Sequence, residues 1–594
     1  MCGIAGYTGK RKASEVVVDG LALLEYRGYD SAGIALFNGQ GNLQITKKAG
    51  FVSHLKKAVY GKEGCCGIGH TRWATHGIAN ETNCHPHCHG KFCIVHNGII
   101  ENFATLKKSL QKKGKKFLSQ TDTEVVAVLL DEFYKGDVLD ALGKVAKLLK
   151  GSFAIAILCH DFCDRIYFLK KGSPLIVGVG QGENFVASDQ LAFVHYTDNV
   201  VFLQDNEMGY VDSNNVFVFD FCKNKKVLHV EKSNAKADNI AKPPKSFMHK
   251  EIFEIPKALR MTANDFFNDE YKKQKAIDIF SKNDKVIMIG CGTAYNACLV
   301  GKLVWEKVLH VSAEVDLASE FRYKNPLVSK GTLVVAVSQS GETADTLRAT
   351  KLAKSKGADV VVITNVAHSS ITKNADLVLH TKAGQEVAVA ATKSYATQVL
   401  LFLCIACVLS KDSKAVKEIK KQIDDLPYLA TKALLCDTVV AKKAKEFCKK
   451  QGTFFVGRGL DFPLAIEGSL KLKEISYMHS QGFAAGELKH GSIALVDKNV
   501  LVVGIITQKK VAEKTINALH EVSCRGAKVL VVTQFDKMAN EAGCHDVIKL
   551  PGATDLLMPI LAVIPLQLFA YHVSVARGIN PDKPRNLAKS VTVE

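Results

Sequence analysis

The sequence lacks a clear membrane span and a recognisable export signal. Residues 399–409 form an apolar stretch that is too short to cross a bilayer, and residues 556–576 are interrupted by two prolines, a glutamine and a histidine. Because a spanning helix needs about 20 mostly apolar residues, we expect buried helices at both places. The first residues, Met-Cys-Gly-Ile-Ala-Gly, contain no basic region followed by an apolar run, so we expect no secretory signal.

The cysteine pattern indicates neither a disulfide framework nor a metal module. The 17 cysteines, without an export signal, fit a reducing compartment in which they stay as thiols, and we expect a cytoplasmic protein. The run at residues 84–89, Cys-His-Pro-His-Cys-His, is the one candidate for a structural zinc. No paired Cys-x-x-Cys or His-x₃-His module stands clear there, so we expect no metal and no cofactor.

The chain is strongly basic, with 78 Lys and Arg against 59 Asp and Glu and a formal charge of +19. A nucleic-acid binder has such a balance. However, the lysines are scattered in pairs, and no basic stripe interleaved with aromatic residues is present. We therefore expect a solvated basic surface, part of which attracts phosphorylated substrates, with no nucleic-acid or membrane partner.

A chain of 594 residues is too long for one core, and three or four units are expected. Residues 2–230 consist of short β-rich runs with helical stretches between them. Residues 231–250 are polar and aperiodic, which is typical of a linker. We expect residues 251–280 to form a helical lead-in to the second half.

The second half contains an internal repeat. Three apolar strands, at residues 285–289, 333–337 and 360–364, recur with a shift of 167 to 169 residues. A nearly constant shift over three strand–helix units indicates a duplicated domain. Continuous apolar strands that alternate with helices predict parallel sheets covered on both faces. We therefore expect two doubly wound α/β domains, at residues 281–425 and 445–580, and a C-terminal tail at 581–594.

Cys2 is the first candidate nucleophile. Removal of Met1 would leave a thiol and a free α-amine on the same residue, and an α-amine with a pKa of about 7.7–8.0 is a usable base near neutral pH. The alternative is a buried cysteine at the start of a strand. Four motifs follow in order, at residues 24–33 (LEYRGYDSAG), 70–77 (HTRWATHG), 96–98 (HNG) and 121–124 (TDTE).

With these motifs, residues 2–230 resemble the class II glutamine amidotransferases, whose glutaminase half is an N-terminal-nucleophile hydrolase with an αββα sandwich. The resemblance implies that Cys2 attacks the side-chain amide of glutamine and that Asn97 and the Gly98 N–H stabilise the oxyanion. It also implies that Arg72 binds the α-carboxylate and Asp122 the α-ammonium. Their alternatives are a surface ion pair for Arg72 and a helix N-cap for Asp122. The remaining implied pocket residues are Thr75, His76 and Trp73, the last as the gate of an ammonia channel.

A second candidate site lies at residues 338–343, Ser-Gln-Ser-Gly-Glu-Thr, which follow an apolar strand and open a helix. Free N–H groups, the helix dipole and hydroxyls favour a phosphate there. A dinucleotide site is the competitor, since Gly290-x-Gly292 begins like its fingerprint, but Asn296 stands near the third glycine position. The turn resembles the sugar isomerase domain of phosphosugar enzymes and regulators. The implied phosphate ligands are Thr293, Ser338, Gln339, Ser340 and Thr343.

The duplicate domain lacks this hydroxyl turn but carries Glu467, Lys471 and Glu474 at i, i+4 and i+7, on one helix face. The alternative is an exposed ion-pair face. With residues 486–491 (GELKHG) and 584–594 (PRNLAKSVTVE), the whole chain resembles the amidotransferases that make glucosamine 6-phosphate from L-glutamine and fructose 6-phosphate, the first step of hexosamine biosynthesis.

The resemblance implies a role for each residue of the sugar reaction. His490, lent by a neighbouring subunit of a homodimer or homotetramer, opens the sugar ring. Lys589 forms a Schiff base with the C2 carbonyl, Glu474 moves a proton between C1 and C2, and Lys471 supports the charge on oxygen. Ala294 and Ala391 depart from the serines common in the family near the sugar.

Three rivals remain. A related amidotransferase that makes a phosphoribosyl-amine would need a phosphoribosyltransferase-type second half. A sugar-phosphate-sensing regulator with vestigial sites predicts the loss of Cys2, Glu474 or Lys589, all of which are present. A nucleic-acid-binding role predicts strongly salt-dependent binding.

Overall fold

The computed structural model describes residues 2–25, 28–73, 77–233, 245–535 and 546–592. The chain divides into two compact units, residues 1–241 with 590–593, and residues 242–589. Of the predicted linker at 231–250, residues 234–244 lie outside the described part, residues 231–232 pair as a short strand, and a helix begins at Phe247.

The first unit is built from two antiparallel sheets and five helices among its described residues. The eight-stranded sheet has the order β14-β11-β9-β10-β1-β4-β2-β3 and the six-stranded sheet the order β13-β12-β8-β7-β6-β5. The strands are β1 Gly3–Gly9, β2 Ser31–Phe37, β3 Leu43–Ala49, β4 Cys66–Arg72, β5 His87–His89, β6 Phe92–Ile100, β7 Gly151–Cys159, β8 Phe162–Lys171, β9 Ile176–Val179, β10 Glu183–Ala187, β11 Asn199–Phe202, β12 Glu207–Val211, β13 Val216–Asp220 and β14 Glu231–Lys232. The helices are α1 Ala13–Leu24, α2 Val52–Ala58, α3 Phe103–Lys112, α4 Glu124–Phe133 and α5 Val138–Leu148.

Three hydrophobic clusters stack these elements into four layers. The central cluster joins the facing sheets, with Ile4 and Ile68 from one and Val95 and Phe168 from the other. A second cluster packs α1 and α2 on the outer face of the eight-stranded sheet. A third packs α4 and α5 on the outer face of the six-stranded sheet. The predicted αββα sandwich is confirmed.

The second unit contains two parallel five-stranded sheets flanked by helices. Its strands are β15 Lys285–Gly290, β16 Ala313–Leu317, β17 Thr332–Ser338, β18 Asp359–Thr364, β19 Leu377–His380, β20 Gly452–Gly457, β21 His479–Ala484, β22 Val500–Ile506, β23 Lys528–Thr533 and β24 Asp546–Lys549. Its described helices are α6 Phe247–Phe253, α7 Ile255–Phe267, α8 Glu270–Ser281, α9 Thr293–Leu309, α10 Ala318–Phe321, α11 Ala344–Ser355, α12 Lys393–Leu409, α13 Ser413–Ala433, α14 Asp437–Phe447, α15 Asp461–Ser476, α16 Ala512–Ser523, α17 Met558–Leu561 and α18 Val563–Ala576.

The two parallel sheets have equivalent topologies. The first has the strand order β16-β15-β17-β18-β19 and the second β21-β20-β22-β23-β24, with every neighbouring pair parallel. The predicted duplication of a doubly wound domain is confirmed. In both copies the order of the strands reverses next to the first strand, and ligands of such sheets bind at the carboxyl ends of the strands at this switch point.

The two apolar stretches are helices of the protein core. In α12 all but the last two of 17 residues are buried. Among the described helices, the segment Met558–Ala576 is long and apolar enough to cross a membrane by length and composition, but 89% of it is buried inside the protein. Such a buried segment is typical of a core helix.

One cysteine pair departs from the expected thiols. Cys88 and Cys93 face each other across the β5–β6 pair and form a disulfide. The prediction that all cysteines stay reduced is therefore wrong for this pair. The reason is the tight reversal between β5 and β6, which places the two Cα atoms 4.0 Å apart. The spacing of the two residues in the sequence does not reveal that reversal.

Candidate active sites

Cys2 directly precedes β1, the strand at the centre of the eight-stranded sheet. Its Sγ accepts a hydrogen bond from the backbone N–H of Trp73 at 3.1 Å. Burial raises the pKa of the thiol above its ordinary value. A buried thiol needs a nearby base to become the reactive thiolate at neutral pH.

Asn97 and Gly98 lie near the end of β6, in the sheet that faces Cys2. The side-chain Nδ2 of Asn97 donates to the backbone carbonyl of Cys2 at 2.9 Å. Gly98 has a φ of 120° in the positive region, and a Cβ there would stand 2.0 Å from the carbonyl oxygen of Ser152. Only glycine fits this close approach of β6 to β7. The structure thus brings two of the predicted glutaminase residues, Cys2 and Asn97, into contact.

Arg72 ends β4 and is only 3% exposed, so the alternative of a surface ion pair is wrong. Its guanidinium donates to the carbonyls of Gly77 at 3.0 Å and Ile78 at 3.2 Å, which ties these two residues to the end of β4. Burial lowers its pKa below the ordinary value, although it remains a cation at neutral pH.

Asp122 is 4% exposed and accepts the backbone N–H of Ile100 through Oδ2 at 2.8 Å. The alternative of a helix N-cap is wrong, because the cap position of α4 is Thr123. Asp122 instead ties the start of α4 to the end of β6. Trp73 is half-buried with its ring edge-on to Tyr29 at 6.2 Å. Two predicted pocket residues, Thr75 and His76, lie outside the described residues.

A cluster of buried histidines borders this site. His70 on β4 stacks on His85 with ring centroids 4.1 Å apart, and His87 lies next to His85. Burial lowers the pKa of all three, to about 3 for His70. In the described part of the chain, no group of three or more His, Cys, Asp or Glu residues is arranged to hold a metal ion. His70 belongs to the motif at residues 70–77, but the sequence pattern predicted no role for it.

The predicted phosphate turn joins β17 to α11. Ser338 Oγ accepts the N–H of Gly341 at 3.1 Å and lies 3.1 Å from Thr343 Oγ1. Ser340 Oγ accepts the N–H of Glu342 at 3.2 Å. Gln339, between the two serines, is half-buried. The prediction that this segment follows a strand and opens a helix is confirmed. The hydroxyls therefore converge at the amino end of a three-turn helix, where partial positive charge favours an anion.

Three of the charged residues of α15 form a row, in which Glu467 and Lys471 are buried and the side chain of Glu474 is 21% exposed. Lys471 is 1% exposed, and its Nζ lies 2.6 Å from Glu474 Oε2 and 3.6 Å from Glu467 Oε1. The alternative of an exposed ion-pair face is wrong, since Glu467 is completely buried. Burial opposes the charge on Lys471, but Glu474 and Glu467 outweigh it and raise its pKa. A fixed cation beside a carboxylate is suited to proton transfer at a carbon next to a carbonyl.

Glu467 connects the two copies of the repeat. It accepts from Thr293 Oγ1 at 3.1 Å and from Asn296 Nδ2 at 2.8 Å, both on α9 of the first copy. Burial raises the pKa of Glu467 to about 6. The hydroxyl of Thr293, a predicted phosphate ligand, donates to Glu467 in this structure. From the sequence, Asn296 is notable only because it stands near the third glycine position of a dinucleotide-binding fingerprint. No local pattern predicts its hydrogen bond to Glu467.

Lys589, in the tail, reaches the interior of the second unit. Its Nζ lies 2.6 Å from Oε2 of Glu386, and the two side chains are 5% and 0% exposed. The tail is held by Asp582, whose carbonyl accepts the N–H of Val389, and by Arg585, whose N–H donates to the hydroxyl of Tyr477.

Glu386 is a site residue that the sequence missed. It also accepts hydrogen bonds from the residues that open α12, Thr392 and Ser394. Although burial opposes it, the charge of Lys589 and these donors lower the pKa of Glu386 to about 2. The negative charge of Glu386 also acts on Lys471, so the tail lysine and the α15 row share one neighbourhood. His490 is exposed on a short turn after β21, and no described contact joins it to this row within the chain.

Fold and geometry together define a class: a glutaminase of the amidotransferase type joined in one chain to a pair of sugar isomerase domains. The family model described as "Glutamine amidotransferase domain" matches residues 56–233, and that described as "SIS domain" matches residues 279–407 and 446–577.

Full-length relatives identify the family. An aminotransferase from Caldanaerobacter subterraneus, named "Glutamine--fructose-6-phosphate aminotransferase [isomerizing]", is 46% identical over 100% of both chains. One of the same name from Thermococcus kodakarensis is 44% identical, again over 100% of both chains. The solved C-terminal domain of glucosamine-fructose-6-phosphate aminotransferase from Francisella tularensis is 35% identical, covers 59% of this chain and 100% of that one, and has a TM-score of 0.55. The chain belongs to the glutamine–fructose-6-phosphate aminotransferase family.

Proposed function

We propose that the protein converts L-glutamine and fructose 6-phosphate into L-glutamate and glucosamine 6-phosphate, the first step of hexosamine biosynthesis, with the catalytic residues named from the sequence. Two nucleophiles with fixed neighbours, the half-buried Cys2 and the buried amine of Lys589, support the proposal most strongly. Cys2 lies against an amide donor in the first unit, and Lys589 lies on Glu386 in the second. A regulator with vestigial sites has no use for either arrangement.

In the glutaminase reaction, the free α-amine of Cys2, present once Met1 is removed, takes the thiol proton. The thiolate attacks the side-chain carbonyl of glutamine, and Asn97 Nδ2–H and Gly98 N–H donate to the oxyanion. Collapse of the intermediate expels ammonia and leaves a thioester, which water hydrolyses to glutamate. Arg72 and Asp122 hold the two ends of the substrate. Thr75 and His76, which lie outside the described residues, keep the glutamine-binding role predicted from the sequence, and Trp73 controls the exit of ammonia.

In the synthase reaction, the sugar phosphate binds at the amino end of α11 through Ser338, Gln339, Ser340 and Thr343, with Thr293 from α9. His490 of a neighbouring subunit assists ring opening, and the free amine of Lys589 condenses with the C2 carbonyl and releases water. Ammonia displaces the lysine from C2 and forms the C2 imine. Glu474 then removes a proton from C1 and returns one to C2, while Lys471 stabilises charge on oxygen.

The arrangement in the cell follows from this proposal. The exposed position of His490 supports its supply to another copy, so we expect a homodimer or homotetramer, and we expect it in the cytoplasm. We propose functional domains at residues 2–230, 281–425 and 445–580. A linker at 231–250, a lead-in at 251–280 and a catalytic tail at 581–594 complete the division.

The test measures glutamate and glucosamine 6-phosphate together, with and without fructose 6-phosphate. We expect equal amounts of both products, which rise together when the sugar is added. Cys2→Ala should lose the glutamine-dependent reaction but make glucosamine 6-phosphate from ammonium. Cys65→Ala, at an exposed cysteine of the same unit, is the matched control.

Each contrary outcome has a distinct meaning. Glutamate without the amino sugar would show a glutaminase with another acceptor. Turnover of neither substrate would favour the regulator. With amide-¹⁵N glutamine and unlabelled ammonium, retention of label in the amino sugar tests direct transfer of ammonia.

A further inference from the structure

His70 forms a hydrogen bond from one sheet of the first unit to the other. It lies on β4 of the eight-stranded sheet and is 1% exposed. Its Nε2 lies 3.0 Å from Oδ1 of Asn97 and 2.9 Å from the backbone carbonyl oxygen of His96, both on β6. A carbonyl oxygen can only accept, so Nε2 must carry the hydrogen and share it between the two oxygens.

The imidazole is therefore held in one tautomer. A neutral ring with its hydrogen on Nε2 has a bare Nδ1, and this atom is buried without a hydrogen-bond partner among the described residues. The stacked ring of His85 covers one face of His70. Protonation at Nδ1 would place a buried charge without a partner, and burial accordingly lowers the pKa of His70 to about 3. His70 thus remains a neutral Nε2 donor across the physiological pH range.

This fixed donor decides which way the amide of Asn97 faces. With Oδ1 bound to His70, Nδ2 points the other way and donates to the carbonyl of Cys2 at 2.9 Å. If the amide turned over, its NH₂ group would meet the N–H of His70 and its oxygen would meet the oxygen of Cys2. Both contacts would be repulsive, so the two neighbours select the same orientation.

We infer that His70 is a positioning residue of the glutaminase, which holds the Asn97 amide with its N–H donors turned towards Cys2 and the developing oxyanion. The inference rests on the proposed function, in which Asn97 supplies an oxyanion donor. An oxyanion donor that must reorient during the reaction loses much of its effect, because preorganisation is the source of the stabilisation. His70 itself does not touch the substrate in this scheme.

The experiment compares four variants of the full-length protein: His70→Leu, His70→Gln, Asn97→Ala and the double variant His70→Leu/Asn97→Ala. His87→Gln is the matched control, since His87 is a buried histidine of the same cluster that bonds to Thr121 and not to Asn97. Glutaminase kcat and the KM for glutamine are measured for each variant. Ammonium-dependent formation of glucosamine 6-phosphate reports whether the rest of the protein is intact.

We expect His70→Leu to lower glutaminase kcat by about 10²-fold, close to the loss in Asn97→Ala. The KM for glutamine should change by less than about threefold, because the lost interaction acts in the transition state. In His70→Gln the amide nitrogen can still donate to Asn97. The glutaminase kcat of this variant should therefore be at least about tenfold higher than that of His70→Leu. The double variant should be no slower than Asn97→Ala, because His70 acts through Asn97.

The outcomes separate this inference from the proposed function. If Asn97→Ala keeps full glutaminase activity, the proposed oxyanion role fails. If Asn97→Ala is slow but His70→Leu is not, or if their losses multiply in the double variant, the inference is overturned and the proposed function stands. If the leucine variant also loses the ammonium-dependent reaction, the glutamine variant decides. If the glutaminase kcat of His70→Gln is then no higher than that of His70→Leu, the positioning role is refuted.

Discussion

Gly98 offers a test of how closely the glutaminase depends on the path of β6. Alanine at this position must adopt a φ of 120°, a conformation that costs a non-glycine residue about 1–3 kcal/mol. Its Cβ would also stand 2.0 Å from the carbonyl oxygen of Ser152, whereas real Cβ contacts essentially never fall below 3.0 Å. The neighbouring atom belongs to the backbone of β7 and cannot rotate away, so the two strands must separate locally by about 1 Å.

A displacement of that size shifts Asn97 and the Gly98 N–H from their positions relative to Cys2. A misplacement of about 1 Å can cost about 10²-fold in rate. We therefore expect Gly98→Ala to lower glutaminase kcat by about 10²-fold. Ammonium-dependent synthesis, which does not use this site, should stay within about twofold of wild type. The assay is glutamate release under saturating glutamine, run beside amino-sugar formation from ammonium.

Gly136→Ala is the control that distinguishes backbone strain at a positive φ from the steric clash expected in Gly98→Ala. Gly136 has a φ of 99°, and no atom lies within 4 Å of the added Cβ. Alanine there is therefore destabilised by its backbone conformation and not by a steric clash. It should lower the free energy of unfolding of the first unit by about 1–3 kcal/mol and leave glutaminase kcat within about twofold of wild type. Full glutaminase activity in Gly98→Ala would refute the argument. Equal loss of both activities would show a general failure to fold instead.

Two further predictions concern how stability depends on pH. Each unit contains one of the two tryptophans, so the unfolding of each unit can be followed separately. Burial lowers the pKa of His70, His85 and His87 below 6.5, so the unfolded chain binds more protons below that pH. In urea titrations the first unit should be fully stable above pH 6.5 and lose on the order of 1.4 kcal/mol per histidine per pH unit below it, and a flat profile from pH 7 to 5 would contradict this. Burial and the charge of a nearby carboxylate raise the pKa of Glu251 to about 8, so its contribution to stability is present below pH 4.5 and is lost as the pH rises to 8. Glu251→Gln should therefore gain stability over wild type from pH 5 to 8, while Glu270→Gln, at an exposed glutamate, should run parallel to wild type.

The strands, the turns and the duplication were predictable from the sequence because they depend on local patterns. A parallel strand buried on both faces is a continuous apolar run, and a turn that binds an anion is typically rich in glycine and hydroxyl residues. The run at residues 333–337 and the turn at 338–343 satisfy both conditions, and the structure has β17 and α11 there. Cys2 and the four motifs that follow it were informative for the same reason, because each motif is a short contiguous segment of the sequence.

The partners of the functional side chains were not predictable, because they come from distant parts of the chain. Glu386 and Lys589 are 203 residues apart, and Asn296 and Glu467 are 171 apart. A carboxylate in a polar loop has no pattern that reveals a lysine in the tail as its partner. The same holds for His70 and Asn97, which meet only because two sheets face each other. The Cys88–Cys93 pair depends on the register of β5 against β6, which Gly90 in the turn between them does not specify.

The second copy of the repeat shows how one scaffold loses an anion site. Where the first copy ends β17 with Ser338 and its hydroxyl-rich turn, the second ends β22 next to Thr507. The N–H of Thr507 donates to Oδ2 of Asp461 at 2.9 Å, and its hydroxyl bonds the other carboxylate oxygen. Asp461 is 2% exposed and opens α15, so the protein's own carboxylate takes the donors that a phosphate would need.

Because Asp461 already satisfies these donors, a second anion there would meet a buried carboxylate rather than free N–H groups. We therefore expect the duplicate not to bind phosphate beside Thr507. Further along α15, Glu467 accepts from Asn296 of the first copy, and Lys471 holds Glu474 beside it. In the proposed function, one duplicated domain thus binds the phosphate, and the other supplies the charged side chains that the proton transfer requires.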